Sequence, residues 1–385
     1  MKKIPYGRQS IDAKDINEVI KVLKSDWITQ GPRIPEFEAA LCQYTGAKYA
    51  VAVSSGTAAL HIACLAAGIK KDDEVITSPI TFVASANCIL YCGAKPVFAD
   101  IQKDTVNIDP RQIEKKVNKN TKAVIPVHFA GYPCDLDKIR NIARKHKLII
   151  IEDAAHALGA EYKGSKIGSC KFSDMAIFSF HPVKSITTGE GGAVLTNNKD
   201  CYRKLLLLRN HGVTKERAEL SGYDGPWYYE MRYLGFNYRI TDFQAALGFS
   251  QLKKIDKFIK RRRFIASLYD KAFKNNPYFD IPIEKPSIRS AYHLYPIRLK
   301  DNLKAKRKRI FEALKAKGLL LQVHYIPVYS QPYYRKLGFK KGICPQAEDY
   351  YERVISIPIY CSLNISQLNK IINTILHIFK DFDQI

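Results

Sequence analysis

The sequence predicts an α/β fold, with a large, mostly parallel sheet domain followed by a smaller C-terminal α/β domain. Short apolar runs alternate strictly with helical patterns through the first half, as they do when helices cover both faces of a parallel sheet. A second strand–helix–strand series follows a long helical stretch. No repeat or low-complexity linker interrupts the 385 residues, and 46% are hydrophobic, enough for a substantial core. The division is expected between 1–245, a large domain that includes the N-terminal segment, and 246–385, a small one.

Taken in order, the apolar run Tyr49–Ser54 leads into a helix former, Gly56–Ala67. Glu74–Ser78 precedes a helical run, Phe82–Cys92, and Pro96–Ile101 precedes the polar helix Asp109–Val117. Ala123–His128 precedes the amphipathic helix Leu136–His146, and Leu148–Glu152 is an apolar strand ending at Asp153. Met175–Phe180 and Ala193–Thr196 read as strands flanking Lys184, with a helix at Cys201–Arg209. Residues 212–235 are rich in Gly, Tyr and Trp and have no period; a stretch that long predicts a functional loop. From Thr241 to Asn275 the pattern is helical. Strand Leu294–Leu299, helix Leu303–Lys317, strand Leu320–Ile326 and a last helix, Ile365–Phe379, complete the chain. Ligands of parallel sheets sit at the carboxyl ends of strands. Ser54–Thr57, Pro79–Phe82, His128 and Asp153–His156 are therefore expected around one crevice.

The formal net charge of +24 permits nucleic acid, an anionic membrane or an anionic small substrate as partner. Its densest groups, Lys260–Arg263 and Lys304–Arg309, fall in helical segments and read as solvated faces. No stretch interleaves basic and stacking aromatic residues, so nucleic-acid binding is not expected. Nine cysteines, an odd number without a C-x-x-C pair, read as reduced thiols of a cytoplasmic protein, and no metal site is expected. The first residues hold no apolar leader, and no apolar run approaches the roughly 20 residues of a membrane span.

Three segments carry chemistry. Ser54-Ser55-Gly56-Thr57 joins a strand to a helix, where free N–H groups and hydroxyls suit a phosphate; alone, the segment reads more readily as a plain helix cap. Asp153, in Glu152-Asp153-Ala154-Ala155-His156, ends a buried strand, where a carboxylate stays ionised only beside a cation. A protonated pyridine is one such cation; a helix-capping aspartate is the other reading. Lys184, in Phe178-Ser179-Phe180-His181-Pro182-Val183-Lys184 ahead of Thr188-Gly189-Glu190-Gly191-Gly192, follows a strand and can reach into a cleft. Alone it would read as a loop lysine.

Together, in this order and spacing, these segments resemble the DegT/DnrJ/EryC1/StrS family of sugar aminotransferases, from Tyr6 to the C-terminal helix. The resemblance implies the fold-type I architecture of pyridoxal-phosphate (PLP) enzymes, with a seven-stranded sheet. It makes Lys184 the lysine that carries PLP, Asp153 the partner of the pyridine nitrogen and His156 their neighbour at the phenolic oxygen or ring face. Ser55, Gly56, Thr57 and Ser179 would hold the phosphate, and Phe82 would stack on the ring. Asn237 would reach the phosphate from the second subunit of a homodimer with a shared active site. Within the family, Ile4-Pro5-Tyr6, Thr29-Gln30-Gly31, Pro79–Ala84, Ile186–Gly192, Asn276–Phe279 and Gln322–Tyr325 are most similar to members of the pseudaminic acid pathway. By that likeness Tyr6, Asp26, Trp27, Ile28, Thr29, Gln322, Val323, His324 and Tyr325 border a UDP-sugar. The implied reaction aminates the C4 ketone of a UDP-linked 4-keto-6-deoxy-N-acetylhexosamine, with glutamate as donor and pyridoxamine phosphate as the intermediate cofactor form.

Two other readings compete. Dehydratase relatives replace the lysine by histidine, and His181 lies close, but Lys184 occupies the matching position. A DNA-binding regulator on the same scaffold would suit the charge, yet no appended helix-turn-helix lies outside the core. Another nucleotide 4-keto or 3-keto sugar is an alternative substrate.

Overall fold

The computed structural model describes residues 3–383. Its central sheet comprises β1 (Tyr49–Val53), β2 (Glu74–Thr77), β3 (Lys95–Phe98), β4 (Thr121–Ile125), β5 (Ile149–Asp153), β6 (Met175–Ser179) and β7 (Gly192–Thr196). They lie in the order β1-β7-β6-β5-β4-β2-β3. Only β7 is antiparallel to its neighbours, β1 and β6.

Strand periodicity explains the layers. Ala52, Ile76, Val124, Ile150, Phe178 and Leu195 enter one core, while Val51, Val75, Ile125, Ile151, Ile177 and Val194 enter the other. Both sets are buried, so the strands read as continuous apolar runs. The helices are α1 (Ala13–Leu23), α2 (Arg33–Thr45), α3 (Gly56–Ala66), α4 (Ala84–Tyr91), α5 (Pro110–Lys116), α6 (Leu136–His146), α7 (Lys199–Arg209), α8 (Asp242–Leu252) and α9 (Ile255–Phe273). Phe37 and Leu41 of α2 and Ile139 of α6 close the first core. Leu60 and Ile62 of α3, Ile89 of α4 and Leu205 of α7 close the second.

The second unit is built on β8 (Phe279–Asp280), β9 (Tyr295–Leu299) and β10 (Val354–Ile357), antiparallel in that order. It adds α10 (Arg307–Ala316), α11 (Pro332–Lys336), α12 (Pro345–Arg353) and α13 (Ile365–Asp383). Its core joins Tyr269, Phe273, Ile297, Leu314, Ile371 and Phe379. Ile4 belongs to this core too, because Ile4–Pro5 pairs in parallel with Leu319–Leu320. The boundary expected at 245/246 falls inside α8, whose Ala245 and Leu252 pack in the first core. Helix α9 spans both units: Phe258 and Ile259 pack under the large sheet, Tyr269 and Phe273 in the small core.

Several elements differ from expectation. The stretch from Thr241 to Asn275 is two helices, broken at Lys253–Lys254. The expected strand Leu320–Ile326 ends at Leu320. Past it, Gln322 makes one bridge to Ser356 and the chain turns to line the cleft, with a cis peptide at His324–Tyr325. Helices α1 and α2 were not anticipated; Asp12 and Asp15 form a reciprocal cap at the start of α1. Residues 212–235 form an irregular loop with one short ribbon, Val213–Thr214 against Glu230–Met231. All nine cysteines are free thiols. Among the described residues no helix is long and apolar enough to cross a membrane.

Candidate active site

The carboxyl ends of β1, β5 and β6 open into a cavity of about 680 Å³. Tyr6 and the segment Gln322–Ile326 close its far side. Its first feature is the start of α3. Ser55 has extended backbone and caps the helix, its Oγ accepting from the Ala58 N–H at 3.0 Å. The first intrahelical bond runs from Ala59 N–H to Ser55 O, so the Gly56 and Thr57 N–H groups lie ahead of it. A Cβ on Gly56 would stand 2.8 Å from Ser179 Cβ. Only glycine lets α3 seat this closely on β6, leaving a cradle edged by Ser55, Thr57 and Ser179.

Asp153 ends β5 and is 4% exposed. Its Oδ2 accepts from Ser85 Oγ at 2.5 Å and its Oδ1 from the Ala155 N–H at 3.1 Å. Thr81 Oγ1 and Ser85 Oγ share a hydrogen bond of 2.7 Å. Among the described residues the Asp153 carboxyl group has no ion pair within 4 Å, so it faces the cavity with hydroxyl and amide partners alone. Ser85 escaped sequence reasoning, which places Thr81 at the crevice without a role. The one available signal was the hydroxyl spacing in Thr81-Phe82-Val83-Ala84-Ser85, just before and within the first turn of α4.

Lys184 lies in the link between β6 and β7. Backbone bonds close that link at both ends, Phe180 N–H to Gly191 O (2.8 Å) and Thr188 N–H to Phe180 O (3.0 Å). Burial pushes its amine down to about 8, with Asp153 pulling the other way. At neutral pH an appreciable share is therefore the free base, as a nucleophile and proton carrier requires.

His156 is 6% exposed, and Tyr325 OH stands 3.3 Å from its Nε2. Burial, then Lys184 and His324, hold it well below the usual imidazole range, so it is neutral. His324 bonds Ser356 Oγ at 2.8 Å; burial and Lys184 push it down to about 3. Phe82 is 59% exposed although the surrounding residues are buried, an apolar face bared to the cavity.

The cavity thus gathers Tyr6, Ser55, Gly56, Thr57, Phe82, Asp153, His156, Ser179, Lys184, Gln322, Val323, His324 and Tyr325. It leaves out Asp26, Trp27, Ile28, Thr29 and Asn237, and also His128, which is fully buried 2.8 Å from Glu152. Asp242 accepts from the Gly31 and Arg33 N–H groups, and Thr29 bridges Thr241, which holds the segment from Asp26 to Thr29 outside the cavity of its own chain. Asn237 is exposed and bridges Asn210.

These residues fit pyridoxal phosphate. The cradle at Gly56 suits its phosphate, the unpaired Asp153 suits its pyridinium, and Phe82 offers a flat face to its ring. Lys184 supplies the amine that would carry it.

Comparison with known proteins points the same way. A family model described as the DegT/DnrJ/EryC1/StrS aminotransferase family matches residues 9–376. The spore coat polysaccharide biosynthesis protein SpsC of Bacillus subtilis is 42% identical over 99% of this chain and 98% of its own. The UDP-4-amino-4,6-dideoxy-N-acetyl-beta-L-altrosamine transaminase of Campylobacter jejuni is also 42% identical, over 98% of both chains. The solved structure of Helicobacter pylori PseC, an aminotransferase involved in pseudoaminic acid biosynthesis, superposes with a TM-score of 0.93 at 38% identity, covering 99% of this chain and 100% of that one. Aminotransferases of this family depend on pyridoxal phosphate. With the lysine, the carboxylate and the phosphate cradle in one cavity, the chain belongs to the DegT/DnrJ/EryC1/StrS family and is a sugar aminotransferase.

Proposed function

We propose that the chain moves the amino group of glutamate to C4 of a UDP-linked 4-keto-6-deoxy-N-acetylhexosamine, releasing 2-oxoglutarate and a 4-amino-4,6-dideoxy sugar. The observation that carries this reading is the meeting of Lys184 with Asp153 in a cavity whose opposite wall, Tyr6 and Gln322–Tyr325, is free to meet a sugar. Pyridoxal phosphate, when bound, supplies the electron sink and the carrier of the amino group. Ser55, Ser179 and the Gly56 and Thr57 N–H groups would hold its phosphate, Phe82 would offer its face to the ring, and Asp153 would keep the ring nitrogen protonated. Ser85 and the Ala155 N–H fix the Asp153 carboxylate in place.

Lys184 Nζ takes the proton from Cα of the amino acid, and in the second half-reaction places one on C4 of the sugar. His156, held neutral beside it, does not compete for that proton. The exposed Trp27, Trp227 and Leu234 support a homodimer in which Asn237, and the segment from Asp26 to Thr29, complete the site of the second copy. Nine free thiols and a nucleotide-sugar substrate suit the cytoplasm.

The test is the visible absorption of the purified protein before and after glutamate. A yellow band that bleaches with glutamate and returns with the keto sugar is the expected outcome. A band that bleaches with glutamate but ignores every UDP-4-keto sugar would remove this substrate while leaving the aminotransferase intact. Lys184→Ala is expected to remain folded with turnover reduced by at least about 10⁴-fold, since the nucleophile and the proton carrier are lost together.

A further inference from the structure

A chain of two hydroxyls leads to the carboxyl group of Asp153. Ser85 Oγ stands 2.5 Å from Asp153 Oδ2, and Thr81 Oγ1 stands 2.7 Å from Ser85 Oγ. All three residues are buried, Thr81 at 4% exposure and Ser85 at 1%. Both hydroxyls belong to the turn that opens α4, and Phe82 lies between them in sequence. One turn thus offers an apolar ring to the cavity and a polar chain to Asp153.

Hydroxyls at the start of a helix ordinarily cap its free N–H groups. These two do not. Val83 is the N-cap of α4, and no side chain caps that helix. Among the described residues neither Thr81 Oγ1 nor Ser85 Oγ accepts from a backbone N–H. The helix forgoes a cap, and both oxygens serve Asp153 instead.

The direction of the chain is fixed by its hydrogens. Each hydroxyl has one, and a carboxylate only accepts. Asp153, as the partner of a pyridinium, draws the Ser85 hydrogen, so Ser85 Oγ accepts from Thr81 Oγ1. The other acceptor that Ser85 Oγ meets is Phe82 O, at 3.3 Å, the longer contact. Donors aligned in one direction polarise each other and strengthen the last bond of the chain. A hydrogen bond to the charged form of an acid favours that form.

We propose that Thr81 is a positioning residue for the cofactor's ring nitrogen, acting through Ser85. Its hydroxyl holds the Ser85 hydrogen on Asp153, and the carboxylate so stabilised leaves the proton on the pyridine nitrogen rather than taking it. The inference rests on the pairing of Asp153 with that nitrogen, but not on the identity of the sugar or of the amino donor.

The test uses the full chain loaded with pyridoxal phosphate labelled at the ring nitrogen. Nitrogen NMR reads directly whether that atom carries a proton. The wild type is expected to give the protonated signal. Ser85→Ala is expected to move the signal toward that of an unprotonated pyridine and to lower kcat about 10-fold or more, as loss of a hydrogen bond to a charged group implies. Thr81→Val should move it in the same direction, with kcat lowered about threefold, since only the polarisation of Ser85 is lost. Thr81→Ser keeps the hydroxyl and should restore both readings. Added to Ser85→Ala, Thr81→Val should change neither reading further, because its path to Asp153 is already cut. A protonated signal unchanged in both single variants overturns the proposal. So does a Thr81→Val effect that persists in full beside Ser85→Ala, which is the signature of packing alone. An unprotonated ring in the wild type overturns the Asp153 pairing itself, and the proposal with it. If Thr81→Val does not fold, Thr81→Ala is read in its place.

Discussion

At the scale of single residues, the site separates charge by environment. Asp153 and Lys184 share a cavity, yet the amine is driven down by burial more than the carboxylate draws it up. This makes a stability prediction for the cofactor-free protein. A lysine whose folded pKa of about 8 lies below its ordinary 10.5 opposes folding fully at pH values under 8. The penalty fades as pH rises from 8 to 10.5, where the unfolded chain holds the proton that the folded chain has released. Lys184→Met should therefore unfold at higher urea than the wild type at pH 7, with the difference shrinking by pH 10. A difference that stays constant between the two would show that burial does not perturb the amine. Asp153 and Gly56 drew notice in the sequence because they stand at or near strand ends, where a parallel sheet presents its ligands, whereas Lys184 alone reads as a loop lysine and its role was implied only by the resemblance. Ser85 drew none. A serine in a helix's first turn carries no signal until the fold brings it to Asp153.

At the scale of elements, hidden carboxylates join parts far apart in sequence. Asp242 opens α8 and accepts from the Gly31 and Arg33 N–H groups at 2.7 and 2.9 Å, fastening the start of α2. Fully buried Asp15 of α1 receives Ser250, Gln251 and Lys254 of the α8 end. Removing Asp242 leaves two amide donors without their partner, so Asp242→Ala should cost about 2–3 kcal/mol in urea unfolding, with the cofactor spectrum retained. A loss under about 0.5 kcal/mol would show that water replaces the carboxylate. Strands and helices from Tyr49 to Arg209 followed the period of their apolar residues closely, since both faces of the sheet are covered. The pattern failed where tertiary contacts decide. Residues 322–326 are apolar enough for a strand, but they serve as cavity wall. The break at Lys253–Lys254 is invisible because good helix formers occupy it.

At the scale of the whole molecule, large apolar side chains remain outside both cores: Trp27 at 58% exposure, Tyr91 at 55%, Trp227 at 69% and Leu234 at 81%. Contiguous apolar surface marks interfaces, and Trp227 and Leu234 stand in the same irregular loop, 212–235. On the proposed homodimer, Leu234→Arg should sediment as a monomer and bind pyridoxal phosphate at least about 10-fold more weakly, because Asn237 lies three residues away. A dimer of unchanged cofactor affinity would move the interface elsewhere. The high positive charge was plain in the composition, and the fold supplies no single use for it. The antiparallel strand β7 has a temporal consequence. It stands between β1 and β6, with Gly192 opposite Val53 on one side and Ser179 on the other. On the ribosome, therefore, β1 waits for the strand beside it in the sheet while the next hundred and more residues are made. Gly56 is seated on Ser179 only once β7 stands between β1 and β6, after Thr196 has cleared the exit tunnel. A nascent chain halted earlier holds most of the residues of the site but not the strand that brings Gly56 beside Ser179.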